Sequence, residues 1–329
     1  MTMKMRVLSA EAVRQSLDMR EMIESMKRAF MQLSRAEVVM PVRASVEVEK
    51  HNGITLFMPA YLSAEDGMAV KMVSVFKDNP TQGLPLIHAL IVVIDPATGV
   101  PRAVMDGSYL TAFRTGAASG AATDLLAREE ASSVAIFGAG VQGRTQLEAV
   151  CTARDIREAW VFDTGHDKAH RFASDMEKVL SLEIHVAEDA KRACQNADII
   201  CTATTSSIPV FGDSDIKSGT HINAVGAYTP EMREIPTETV TRSKVVIDHL
   251  EASMAEAGDL LIPMKEGVFK EDDLHAELGE IAAGIKPGRE SREEITLFKS
   301  VGVAVQDVAA ASLVLKVAED QKLGVEFDL

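Results

Sequence analysis

Cysteine, tryptophan and positive charge are all scarce in this chain. Its three cysteines, Cys151, Cys194 and Cys201, have no metal-ligand spacing. They read as reduced thiols of a cytoplasmic protein. Asp and Glu number 49 against 34 Lys and Arg, a net charge of -15. Such a surface repels phosphate backbones and anionic lipid, so neither nucleic acid nor membrane is an expected partner. The opening "MTMKMRVLSAEAV" lacks the apolar core of a signal peptide. No apolar run approaches the ~20 residues that span a bilayer. His166 and His170 share a helical face, but among charged residues, which reads as a solvated face rather than a metal site. No metal is expected. No G-x-S-x-G or Cys–His arrangement points to a nucleophile.

What is present is a large apolar fraction, 47% of 329 residues. At about 100–200 residues per domain, two domains are expected. "DMREMIESMKRAFMQLSRAEV" opens with Asp18 and Glu21 in capping-box spacing. Met19, Met22, Ile23, Met26, Phe30 and Leu33 follow on one helical face and read as core. The pieces "RASVEVEK", "GITLFMPAYL", "GMAVKMVSVF" and "HALIVVIDPATGVPRAVMD" then predict a mainly antiparallel sheet, with a hairpin at "DPATG". "GSYLTAFRTGAASGAATDLLA" reads as a small-residue helix joining the domains. After it, strands and helices alternate: "SVAIFGAG", "EAWVFD", "EIHVA", "ADIICTAT", "HINAVGA", "KVVIDHL". That alternation predicts a doubly wound parallel sheet. "VGVAVQDVAAASLVLKVAEDQ" is a final apolar helix.

The motif "VAIFGAGVQGRTQLEAV" carries the clearest chemistry. Gly138, Gly140 and Gly143 stand between an apolar strand and a helix opened by Val141 and Gln142. Gly138 permits a tight turn, Gly140 lets backbone approach a pyrophosphate, and Gly143 lets the helix close on the strand. The first-turn N–H groups and the helix dipole would hold the phosphates. Asp163, 20 residues beyond Gly143 and followed by Thr164, ends the next strand. A carboxylate there accepts from the ribose hydroxyls and repels a 2′-phosphate, which favours NAD. Lys168 and Arg171 leave NADP open. Thr204 in the fourth strand's exit loop, and Val225 and Gly226 at the end of the fifth, fall at the crevice of such a sheet.

Two cations interrupt apolar surroundings. Arg114 sits in "SYLTAFRTGAASG" and needs an anion. That anion is either a substrate carboxylate or an acid of the chain such as Asp106. Lys71 interrupts "GMAVKMVSVF"; it is either a buried acid–base group or a lysine at a strand edge. Arg43 is a further anion anchor. His88, in "LPLIHALIVV", faces either the core or the cofactor.

Along almost its full length the chain resembles the ornithine cyclodeaminase/mu-crystallin family. The matching stretches include "FMPAYL", "VKMVSVF…NP…GLP", "AVMDGSYLTAFRTGAASG", "FGAGVQGRTQLEAV", "THINAVGAYTPEMREI" and "ITLFKSVGVAVQDVAAA". The resemblance implies an α/β fold: a Rossmann doubly wound parallel sheet over 119–303, plus a smaller α+β substrate and dimerisation domain from 1–118 with 304–329. It implies a homodimer acting on a small amino or imino acid with NAD(P). Arg114 matches the family's carboxylate-binding arginine and Lys71 its active-site lysine. Arg43 falls where members carry Arg or Lys. Lys299 and Ser300 match a segment that approaches the nicotinamide. Cyclodeaminases place an aspartate where this chain has Tyr228, and a phenol cannot anchor an ornithine ammonium as a carboxylate would. The resemblance therefore implies first a reductase of Δ1-pyrroline-2-carboxylate or Δ1-piperideine-2-carboxylate, with Tyr228 bordering its pocket. Alanine dehydrogenase comes second and ornithine cyclodeaminase third. A non-enzymatic ligand-binding protein is the alternative from another class.

Overall fold

The computed structural model describes residues 4–328. Its elements begin with β1 (Lys4–Leu8), α1 (Ala10–Gln15), α2 (Met19–Ser34), β2 (Val38–Val39), β3 (Ala44–Val48), β4 (Gly53–Leu62), β5 (Gly67–Phe76), β6 (Ile87–Ile94), β7 (Pro101–Asp106) and α3 (Ser108–Leu126). Alternation follows through β8 (Ser133–Phe137), α4 (Val141–Ala153), β9 (Glu158–Phe162), α5 (His166–Leu180), β10 (Glu183–Val186), α6 (Ala190–Gln195) and β11 (Ile199–Thr202). Then come β12 (His221–Ala224), α7 (Thr237–Arg242), β13 (Lys244–Ile247), α8 (Leu250–Glu256), α9 (Gly258–Lys265), β14 (Ala276–Glu277), α10 (Leu278–Ala282) and β15 (Thr296–Lys299). Helix α11 (Ala304–Gln321) and strand β16 (Val325–Asp328) complete the order. The chain divides into two compact units, one running to Arg114 and resuming at Val303, the other Thr115–Gly302. The first boundary falls inside α3.

The first unit is built on an eight-stranded sheet in the order β16-β1-β7-β6-β5-β4-β2, with β3 paired to β4. All its ladders are antiparallel except β1 with β7. Period-two alternation turns Met58, Ala60, Ala69, Ile91, Val93 and Met105 to one face, where all are buried. Helix α11 covers this face, packing on β4, β5, β6 and on α2. Asp18 caps α2 by accepting from the Glu21 N–H at 2.9 Å, and Met22, Ile23, Met26 and Phe30 are buried as the periodicity requires. The other face is uncovered. Phe57, Met72 and Leu90 are cross-strand neighbours there and are 37–39% exposed. His88 is on this open side and exposed, so it does not face the core.

The second unit is an all-parallel sheet in the order β10-β9-β8-β11-β12-β15-β13-β14. Along β8, Ala135 and Phe137 enter one apolar cluster while Val134 and Ile136 enter the other. Burial on both faces is why this strand reads as a continuous apolar run. One difference from the sequence reading matters for the site. The segment "TLFK" is β15, a strand between β12 and β13.

A polar network runs through this core. His221 is fully buried, with Nδ1 2.9 Å from Thr296 Oγ1 and Nε2 3.2 Å from Asn223 Oδ1. Asn223 donates onward to Thr123 Oγ1 at 3.0 Å. Burial first, then Arg289, pulls His221 from 6.5 down to about 3. The unfolded chain therefore binds this proton first as pH falls. Stability is full above the ordinary histidine range and drains away below it, by up to about 1.4 kcal/mol per pH unit. Thermal melts between neutral and mildly acid pH should show this slope, and His221→Asn should flatten it.

Candidate active site

The cations singled out in the first unit converge. Lys71 stands in the cross-strand row Met58–Lys71–Ile91–Met105, on the face covered by α11. It is 3% exposed and central in the sheet, not at an edge. Its ammonium lies 2.6 Å from Asp307 Oδ2. Arg114, in α3, donates Nε to Asp307 Oδ1 at 3.0 Å and Nη1 to Gln306 Oε1 at 2.8 Å. Asp106 is not its partner; that carboxylate accepts from the Tyr109 N–H at the start of α3. Burial takes Lys71 from 10.5 down to about 8; Asp307 pushes it up, while Arg114 and Arg43 push it down. Arg43 thus belongs to the same field.

Asp307 and Gln306 escaped the sequence reading. They sit in the first turn of α11, where the helix dipole favours an acid. The legible signal was an acid inside the apolar helix "VGVAVQDVAAAS". Two cations on one buried carboxylate leave surplus positive charge, which suits an anionic ligand.

In the glycine loop of the second unit, two of the three glycines are required by the packing around them. Gly138 has φ +102°, and a Cβ there would sit 2.6 Å from the Ala203 carbonyl oxygen. At Gly143 a Cβ would collide with the Gly138 carbonyl oxygen. A Cβ at Gly140 would meet nothing within 4 Å, so that side of the turn is open for a phosphate. Val141 and Gln142 begin α4, where first-turn N–H groups lack helical acceptors. Asp163 ends β9 and is oriented by the Ala139 N–H at 2.9 Å and the Gly165 N–H at 2.7 Å. A carboxylate offers about four lone-pair sites, so capacity for ribose hydroxyls remains. Thr164 beside it is exposed. The donor set fits a dinucleotide.

Lys299 spends its ammonium inside the unit: it is fully buried, 2.9 Å from Asp259 Oδ2, and donates to the carbonyls of Ala224 and Ala227. Ser300 likewise spends its hydroxyl on Asp248 at 2.7 Å. Asp248 also accepts the Val301 and Gly302 N–H groups, fixing the exit of β15. Lys299 is the last residue of β15 and Ser300 follows it, on a strand that the sequence did not announce. Val225 bonds back to Thr202, and Gly226 is packed under Thr204. Tyr228 is 42% exposed just beyond this strand end. His166 and His170 are exposed on α5.

The model of the ornithine cyclodeaminase/mu-crystallin family matches residues 3–322. The chain belongs to that family. It is 38% identical over 326 residues to a Delta(1)-pyrroline-2-carboxylate reductase of Bacillus cereus, covering 98% of this chain and 100% of that one. The Thermococcus litoralis Delta(1)-pyrroline-2-carboxylate reductase, solved in complex with NADH and L-proline, is 47% identical with a TM-score of 0.94, over 97% of this chain and 99% of that one. An archaeal alanine dehydrogenase dimer with bound NAD is 36% identical with a TM-score of 0.93, over 99% and 100%. The α/β architecture is the one these family structures share.

Asp163→Ser should weaken NADH binding roughly tenfold or more, the ~1.5–3 kcal/mol of a charge-assisted hydrogen bond, and improve NADPH binding. Fluorescence titrations with both cofactors measure this.

Proposed function

We propose that this chain is an NAD(H)-dependent reductase of cyclic imino acids, converting Δ1-pyrroline-2-carboxylate or Δ1-piperideine-2-carboxylate to proline or pipecolate. The observation that carries the reading is the buried Lys71–Asp307–Arg114 cluster with Arg43 in its field. Its surplus positive charge fits a small carboxylate, and burial brings its lysine down to about 8. Similarity to reductases of this substrate, across nearly the whole chain, supports it.

NADH, when bound, supplies the hydride that the α-carbon receives. Arg114, already oriented by Asp307 and Gln306, holds the substrate carboxylate. Lys71 in its ammonium form donates the proton that the ring nitrogen needs as C=N becomes CH–NH. Asp307 keeps that ammonium charged at neutral pH despite its burial. Fixed charges of this kind lower a barrier because they need no reorganisation during reaction. Tyr228 stands where a cyclodeaminase has its aspartate. With no carboxylate at that position, the side-chain amine of ornithine lacks its anchor, which argues against cyclodeamination.

We assign substrate binding to the first unit and NAD binding to the second. The uncovered row Phe57–Met72–Leu90 supports burial of that face against a second copy in a homodimer. Three unpaired thiols, each pushed up to about 12 chiefly by burial, suit a cytoplasmic protein.

Purified protein given Δ1-pyrroline-2-carboxylate and NADH should consume the nicotinamide absorbance. Consumption with pyruvate and ammonium but not with the cyclic imine would replace this reading by alanine dehydrogenase, which the similarity to that enzyme favours as second choice. The reductive rate should fall as pH rises past about 8, where Lys71 loses its proton. Because Asp307 raises that pKa, Asp307→Asn should shift the alkaline limb to lower pH. An unshifted limb would remove Lys71 as the proton donor.

A further inference from the structure

Glu234 is fully buried in the segment between β12 and α7. One carboxylate oxygen accepts from Thr202 Oγ1 at 2.8 Å and from the Gly226 N–H at 2.8 Å; the other accepts from the Thr204 N–H at 2.6 Å. These donors lie at the ends of β11 and β12, which are neighbours in the parallel sheet. One side chain therefore ties two adjacent strand ends together. A Cβ on Gly226 would fall on the Glu234 carboxylate and the Thr204 backbone, so the contact admits no side chain there.

Glu234 is itself braced. Asp259 Oδ1 accepts from the Glu234 N–H at 2.7 Å and from the Ile235 N–H at 3.0 Å. The other Asp259 oxygen pairs with Lys299 at 2.9 Å, and Lys299 donates to Ala224 O at 3.3 Å and Ala227 O at 2.5 Å. Three ionisable groups, none of them exposed, thus hold the stretch from Ala224 to Ile235 from within. Burying charge is costly, and as a source of stability it is weak compared with apolar packing. What it supplies here is definition of the backbone at two strand ends.

We propose that Glu234 is a positioning residue for the nicotinamide half of the cofactor, acting through the Thr204 and Gly226 backbone. This rests on the reading that Thr204, Val225 and Gly226 lie at the cofactor crevice, and goes beyond it in giving them the nicotinamide half. The adenosine half depends on other groups, the glycine loop and Asp163. Burial and then Asp259 raise the Glu234 pKa. The role survives either protonation state, since both backbone donors meet oxygen in each.

The test separates the two halves of the cofactor. Glu234→Gln keeps the size but turns an NH2 toward one of the backbone N–H groups. NADH affinity should fall roughly tenfold, as expected for one buried donor left unpaired, while ADP-ribose affinity stays within about twofold. Unchanged NADH affinity, or equal loss for both ligands, would overturn the proposal; equal loss is what damage to the unit as a whole would give. Hydrogen exchange on the wild-type chain covers a variant that does not fold. NADH should slow exchange at the Thr204 and Gly226 amides beyond what ADP-ribose does, and equal protection by both would also overturn it. Neither measurement uses the imine. A chain that binds NADH but does not reduce the imine would sink the proposed reaction and leave this inference standing on its own data.

Discussion

Asp307 holds two cations inside the first unit, and much of that unit's site chemistry depends on this one carboxylate. Lys71 and Arg114 come from a strand and a helix that carry no acid of their own toward each other. Without Asp307 both charges would be buried uncompensated, a loss of about 3–5 kcal/mol when one partner of a buried pair is removed. The carboxylate also orients them. Arg114 is gripped through Nε while Gln306 takes Nη1, so the guanidinium plane is set before a ligand arrives. Pre-set geometry of this sort spares the entropy of ordering a long side chain on binding.

The second unit solves a related problem by other means. Its glycine loop uses absence: Gly138 and Gly143 are required because backbone occupies the space a Cβ would need. Its strand ends use buried charge, with Asp248, Asp259, Glu234 and Lys299 each tying down backbone rather than meeting solvent. These residues define where the chain turns at the carboxyl ends of the strands, the region in which an open α/β sheet meets its ligand. The parallel sheet beneath is apolar on both faces and supplies the rigid base for those turns.

Legibility followed the range of each interaction. Helix α2 was readable because its cap, Asp18 with Glu21, and its apolar stripe lie within one segment. The glycine fingerprint was readable for the same reason, and Asp163 because its distance from the motif is set by one helix and one strand. Lys71 and Arg114 stood out as charges among apolar neighbours, although their partner did not. Strand β15 was missed, and with it the true surroundings of Lys299 and Ser300, whose partners Asp259 and Asp248 lie on distant segments.

The sequence by itself therefore determined the two kinds of sheet, the dinucleotide loop, the family and the cations of the site. Each is written in local spacing, or in motifs whose spacing the backbone enforces. Only the tertiary structure decided that Arg114 answers to Asp307, 193 positions away, rather than to the nearby Asp106. It likewise decided that Lys299 pairs with Asp259, 40 positions before it. The physical reason is common to both. A buried charge must find its counter-ion in space, and the chain separation between the two carries no information about where that will be.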